Sequence, residues 1–111
     1  MKHELPRDIR FVHSRRGELN YEGLRFPCLI QEISVSGLSI LCTRDTEIGQ
    51  ELHVMFDLTP SHFYQCKIRV KHVDNGYFGA AITHAEANDS KAFQEFVNKR
   101  FKELKSPRLM R

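Results

Sequence analysis

The densest group of chemistry-bearing residues is the stretch QEISVSGLSI, from Gln31 to Ile40. It sets Glu32, Ser34, Ser36 and Gly37 among apolar neighbours. A carboxylate accepts hydrogen bonds, a serine hydroxyl donates and accepts, and a glycine lets backbone come close or take positive φ. The stretch reads either as a turn between two strands or as a surface that receives a ligand. Cations stand upstream of it: Lys2, Arg7, Arg10, Arg15 and Arg16 crowd the N-terminal end. The net charge of +3 leans mildly toward an anionic partner.

Catalysis finds little support. No Ser–His–Asp or Cys–His arrangement nominates a nucleophile with its base, and no Walker-type phosphate loop occurs. The chain is therefore read as no enzyme. His3, His13, His53, His62, His72 and His84 share no ligand spacing, so no metal site and no resident cofactor are expected. Cys28, Cys42 and Cys66 form no Cys-x-x-Cys pair, which argues against zinc and against a redox motif. Two of the three fall on strand faces that look inward, so buried reduced thiols are the better reading.

These residues need a scaffold to position them. At 111 residues, with 41% hydrophobic and 28% charged side chains, the chain has the make-up of one ordinary soluble domain. No apolar run approaches the ~20 residues of a membrane span. The opening MKHELPRDIR lacks the apolar core of a signal peptide. A cytoplasmic location without membrane insertion is the simplest expectation.

Residues 1–8 read as a flexible N-terminal arm. A short strand is expected from Ile9 to Ser14, and SRRGELNYEG then offers the turn residues Gly17, Asn20 and Gly23. Leu24, Phe26, Cys28 and Ile30 alternate with Arg25, Pro27, Leu29 and Gln31, a strand period. Pro27 cannot donate to a ladder and marks an edge or a bulge. Glu32 falls on the inward alternation face, so it either leaves the core at the strand end or is bent out by a bulge. LSILCT is the next strand, and RDTEIGQ a polar turn. Leu52, Val54, Phe56 and Leu58 alternate, TPSH turns, and Cys66, Ile68, Val70 and His72 alternate again. On that count His72 shares the inward face with Ile68 and Val70. Asn75-Gly76 predicts a hairpin of type I′, in which both central residues have positive φ, leading into YFGAAIT.

The period changes after His84. Asn88, Asp89 and Ser90 supply capping side chains. Phe93, Phe96, Val97, Phe101 and Leu104 form one apolar stripe on a helix that would cover an open end or edge of the sheet. The domain is expected over residues 9–105, with 106–111 as a tail. Short, regularly spaced strands suggest a barrel or sandwich.

A strand, then acid-x-Ser-x-x-Gly, then a strand, with arginines some twenty residues upstream, resembles the PilZ domain family, which binds the bacterial second messenger cyclic di-GMP. Glu32-Ile33-Ser34-Val35-Ser36-Gly37 stands for the family's Asp/Asn-x-Ser-x-x-Gly. YFGAAITHAEANDSKAFQEFV looks like its closing strand and C-terminal helix. The resemblance covers nearly the whole chain and implies an all-β fold: a six-stranded antiparallel Greek-key β-barrel with a C-terminal α-helix. Two departures stand out. Glu32 replaces Asp or Asn, and the family's Arg-x-x-x-Arg is absent, with Arg7-Asp8-Ile9-Arg10 one residue short.

The resemblance implies a ligand site of Arg7, Arg10, Glu32, Ser34 and Gly37. Guanidinium groups fork onto phosphate oxygens and stack on or bond to guanine. Glu32 would accept from guanine N–H groups, Ser34 would donate to a phosphate, and Gly37 would admit the backbone. The implied partners are cyclic di-GMP and an unidentified protein whose docking surface changes when the arm orders. The alternative is a degenerate domain that has lost the nucleotide and acts as a protein–protein adaptor. Lys67, Arg69 and Lys71 form a basic stripe, read first as a solvated outer strand face, and nucleic acid is not the expected partner.

Overall fold

The computed structural model describes residues 10–34 and 36–105. Six strands, β1 (Arg10–Tyr21), β2 (Leu24–Ser34), β3 (Gly37–Leu41), β4 (Glu51–Thr59), β5 (His62–Asp74) and β6 (Tyr77–His84), precede one helix, α1 (Ala87–Lys105). The strands close into an antiparallel barrel in the order β1-β2-β3-β6-β5-β4. Strands β4 to β6 form a meander, and β3 lies beside β6, which is the Greek-key connection. The expected fold class is the one observed. The arm 1–8, Ile9, Val35 and the tail 106–111 lie outside the described residues.

Alternation builds the core. Leu52, Val54, Phe56 and Leu58 of β4, and Tyr64, Cys66, Ile68 and Val70 of β5, are all buried. Full burial of such side chains contributes about 1.5–3 kcal/mol each, so these eight positions supply a large share of the barrel's stability. Helix α1 closes one end by inserting Phe93 and Val97. The Phe93 ring stacks on Tyr64 with centroids 5.1 Å apart. Phe96 and Phe101 pack on the same cluster, and the Leu104 side chain lies outside the described residues.

The capping residues stand differently from expectation. Asn88, Asp89 and Ser90 lie inside the first helical turn, and the Ser90 amide already donates to the Glu86 carbonyl at 2.8 Å. Asp89 is drawn to the barrel instead, where its carboxylate meets His62 Nε2 at 2.8 Å.

The first strand is longer than its sequence suggests. It does not stop at Ser14 but runs on to Tyr21. Ser14 takes a positive φ of 50° at a bulge between Val12 and Arg15, and pairing then resumes. Gly17 is needed for space rather than for a turn. It pairs with Cys28 on one side and Phe56 on the other, where the barrel closes. A Cβ there would come within 2.6 Å of the Met55 carbonyl oxygen. The real turn is Glu22-Gly23, with φ of 52° and 84°. This is the pair of positive-φ residues expected at Asn75-Gly76, where only Gly76 adopts it, at 79°. Leu24, counted as inward, sits beside the turn and is exposed.

Pro27 sits at a local edge. Its carbonyl accepts from the Cys42 thiol, beyond the last residue of β3. A strand residue's N–H points to the same side as its C=O, so the donor that proline lacks would have met no ladder partner.

Candidate functional site

Two β-bulges make the site. One lies in β2 between Ile30 and Glu32, opposite β3, and the other in β5 between Val70 and His72, opposite β6. A bulge sets two residues against one and shifts the alternation. The first bulge turns Glu32 out and lets Ile33 take its place in the core, so the bent-out reading of Glu32 is the observed one. The second turns His72 out. His72 is exposed rather than inward with Ile68 and Val70, because the extra residue Lys71 breaks the count.

Both bulges deliver into one lateral row. Glu32 pairs with Ser39, Ser39 with Gly79, and Gly79 with His72, so the row crosses four strands on the outer face. Ser39, in its middle, is buried. Gly79 allows the His72 imidazole to lie directly over the backbone, for a Cβ there would overlap the ring.

The QEISVSGLSI stretch folds as a bend at the edge of this row. The Ser34 hydroxyl donates across it to the Gly37 carbonyl at 3.4 Å. The Ser36 carbonyl accepts from the Ile82 amide at 2.9 Å, which pins the bend to β6. Gly37 serves close approach rather than positive φ, because a Cβ there would overlap the Ala80 carbonyl oxygen. Arg10 opens β1 opposite Ser34, and its Nη1 lies 3.8 Å from Glu32 Oε1.

The result is a shallow cleft of about 190 Å³ lined by Arg10, Ser34, Ser36, Gly37, Lys71 and His72, with Gly79 in its floor. Among the described residues no acid lines it, and Glu32 stands beside it through Arg10. Tyr77 lies close by. Its hydroxyl donates to Asp74 at 3.2 Å, and that bond, with the Asp74 charge and the field of Glu32, raises the phenol above its ordinary value. The cleft is thus cationic on two walls, carries hydroxyls between them, and suits an anion.

Of the residues predicted from sequence, the structure brings Arg10, Glu32, Ser34 and Gly37 together. Arg7 lies outside the described residues. Lys71, His72, Ser36 and Gly79 were not nominated as site residues. The lone glycine inside the YFGAAIT strand was the available signal, since an interior strand glycine often marks a bulge or a close approach. Arg16 points elsewhere, to a groove with Met55 and Phe63.

Other hollows fit an anion less well. A larger one of about 470 Å³ lies at the barrel mouth, where Asp45 and Asp74 face Arg44. Arg44 is parked over the Phe26 ring, 4.3 Å from its centroid. Another, of about 400 Å³, lies between α1 and the β4–β5 turn and is mainly apolar. Cys28 and Cys66 have thiols that burial pushes up to about 12, so both are poor nucleophiles. Among the described residues no group of His, Cys, Asp and Glu could hold a metal ion, and no helix is long and apolar enough to cross a membrane.

A family model described as PilZ domain matches residues 4–99. No curated protein matches the sequence. Among solved structures, the chain is similar to the Bacillus subtilis inhibitor of motility (MotI/DgrA), with a TM-score of 0.71 and 14% identity. The match covers 92% of this chain and 54% of that one, so the chain spans about half the length of that structure. At this identity the likeness shows the fold.

Proposed function

The chain belongs to the PilZ domain family, and from that premise we propose that it is a receptor for cyclic di-GMP. The family's domains are binding and adaptor modules rather than enzymes, and they take cyclic di-GMP as a ligand, not as a cofactor. The reading is carried by one observation: Arg10, Ser34 and Gly37 line a single cleft in which no acid stands among the described residues, with Glu32 beside Arg10. Arg10 grips a phosphate or guanine, Glu32 accepts from guanine N–H groups, Ser34 turns its hydroxyl to the ligand, and Gly37 leaves the backbone open. Arg7 adds a second fork from the arm 1–8.

Energetics favour release of Arg10 to a ligand. Its ion pair with Glu32 is half-exposed and is worth about 0.2–1 kcal/mol. A hydrogen bond to a charged group contributes roughly 1.5–3 kcal/mol. A cleft of about 190 Å³ is smaller than the ~300–1,000 Å³ of a typical small-molecule site. The dinucleotide therefore lies over the cleft and is covered by the arm. Recruitment of Arg7 to the ligand changes the surface offered to a protein partner. The protein acts in the cytoplasm and has no catalytic step of its own. Motility is a process in which to seek the partner, since the similar solved structure is named as its inhibitor.

Calorimetry with cyclic di-GMP tests this directly. Heat of binding at micromolar to millimolar ligand, with amide shifts in residues 32–37, is expected. No heat and no shifts at millimolar ligand reject it.

A second reading is favoured by the absence of Arg-x-x-x-Arg and by the existing Arg10–Glu32 pair. On it the domain does not bind the nucleotide and works as a protein–protein adaptor. A pull-down with and without cyclic di-GMP separates the two, since an adaptor retains its partners equally in both.

A further inference from the structure

We infer that the second cationic wall of the cleft is β5, and that His72, held in place by Gly79, contacts the bound nucleotide together with Lys71. The inference rests on the receptor reading and extends it to residues that the acid-x-Ser-x-x-Gly stretch does not contain.

The argument starts from the bulge. With Lys71 as the extra residue, two side chains of β5 oppose the single Gly79 of β6. At such a bulge both side chains turn to the same face. Lys71 and His72 therefore both reach the cleft, while regular alternation would have sent one of them inward. Across the cleft stand Arg10 and Ser34, at the start of β1 and the end of β2. An anion seated at the bend thus meets charge from two sides, which a single arginine on one wall does not provide.

Gly79 completes the geometry as a positioning residue. Its lack of a Cβ lets the exposed His72 imidazole come close over β6, where an added Cβ would overlap the ring at Cε1, Nε2 and Nδ1. An imidazole held at this place offers nitrogens that bond to phosphate or to a purine edge and a ring on which a base stacks. Gly79 does not have positive φ, so an added Cβ acts through the His72 ring rather than through backbone strain.

The test is calorimetry with cyclic di-GMP on the full chain, with melting temperature and the His72 ring resonances followed in parallel. In the parent the His72 ring signals shift on titration. His72→Ala weakens binding roughly tenfold, the loss of one charge-assisted contact. Gly79→Ala weakens it to a similar degree, and the double variant is no weaker than His72→Ala alone. Lys71→Ala also weakens binding, whereas Lys67→Ala, on the same stripe but outside the cleft, binds as the parent does. His72→Ala, at an exposed position, keeps the parent's melting temperature, which separates lost contact from lost fold. A parent that binds while His72→Ala binds equally well, with unmoved ring signals, overturns the inference alone. A parent that gives no heat overturns the receptor reading and the inference with it.

Discussion

Arg10 and Glu32 stand 3.8 Å apart on a diagonal across the β1–β2 pair, two positions out of register, because Arg10 lies opposite Ser34 and Glu32 opposite Val12. The diagonal draws the guanidinium back along β2 toward Glu32 while Arg10 still lines the cleft beside Ser34. Both side chains are nearly half exposed, at 46% and 40%. The pair therefore positions Arg10 without contributing much to stability.

Arg10→Ala should accordingly separate binding from folding. Affinity for cyclic di-GMP is expected to fall about 10- to 100-fold, the range for losing one or two hydrogen bonds to charge. Stability in urea should change by under about 1 kcal/mol. Calorimetry beside a denaturation curve reads both, and parental affinity in the variant would remove Arg10 from the site.

Gly37→Ala acts on the scaffold. Its Cβ would overlap the Ala80 carbonyl oxygen, a backbone atom in the paired strand, so β3 must move away from β6. Overpacking of this kind costs about 1–3 kcal/mol. At Gly79 the three atoms nearest to an added Cβ all belong to the exposed His72 side chain, which can swing away, so Gly79→Ala should cost less. Denaturant midpoints of the two variants give the comparison; equal losses would contradict the difference drawn between backbone and side-chain obstruction.

Tyr64→Phe is expected to hold or raise stability. The Tyr64 hydroxyl is buried and, among the described residues, has no hydrogen-bond partner of normal geometry. It has the Cys66 thiol beside it and the Asp89 charge farther off, and burial raises its pKa well above the ordinary phenol value. Removing an unsatisfied buried hydroxyl while keeping the stacked ring should gain up to about 1 kcal/mol. A loss of more than that would mean that the hydroxyl has a partner in solution.

The barrel was legible because β4 and β5 keep strict alternation, from Leu52 to Leu58 and from Tyr64 to Val70. The helix was legible because Phe93, Phe96 and Val97 repeat at helical spacing. Half of the site was legible because Glu32, Ser34 and Gly37 are neighbours in sequence, so a local bend suffices to gather them. The β5 wall was not, and the reason is physical. A bulge inserts one residue and every residue beyond it changes face, and the one trace of it, Gly79, stands on the partner strand β6 rather than in β5. His72 was thus assigned inward by a count that Lys71 breaks. The same cause hid the length of β1, where the bulge at Ser14 and the packing need at Gly17 look like turn signals when read alone.

Burial gives His13 a pH signature. Its ring lies between Phe56 and Phe96, with centroids 5.6 and 5.5 Å away. Burial lowers its pKa below 6.5, Arg15 and Arg100 push the same way, and the Asp57 carbonyl opposes them. Well above pH 6.5 the imidazole is neutral in both the folded and the unfolded chain, so it adds no pH dependence there. As pH falls through 6.5 the unfolded chain takes up the proton more readily, and folded stability drops until the folded imidazole titrates as well. Melting temperature should therefore decline on acidification below pH 6.5, and His13→Phe, which keeps an aromatic ring in the same slot, should decline less. Melting temperatures of parent and variant from pH 8 to about 5 check this, and equal declines in the two would assign the acid sensitivity to other groups.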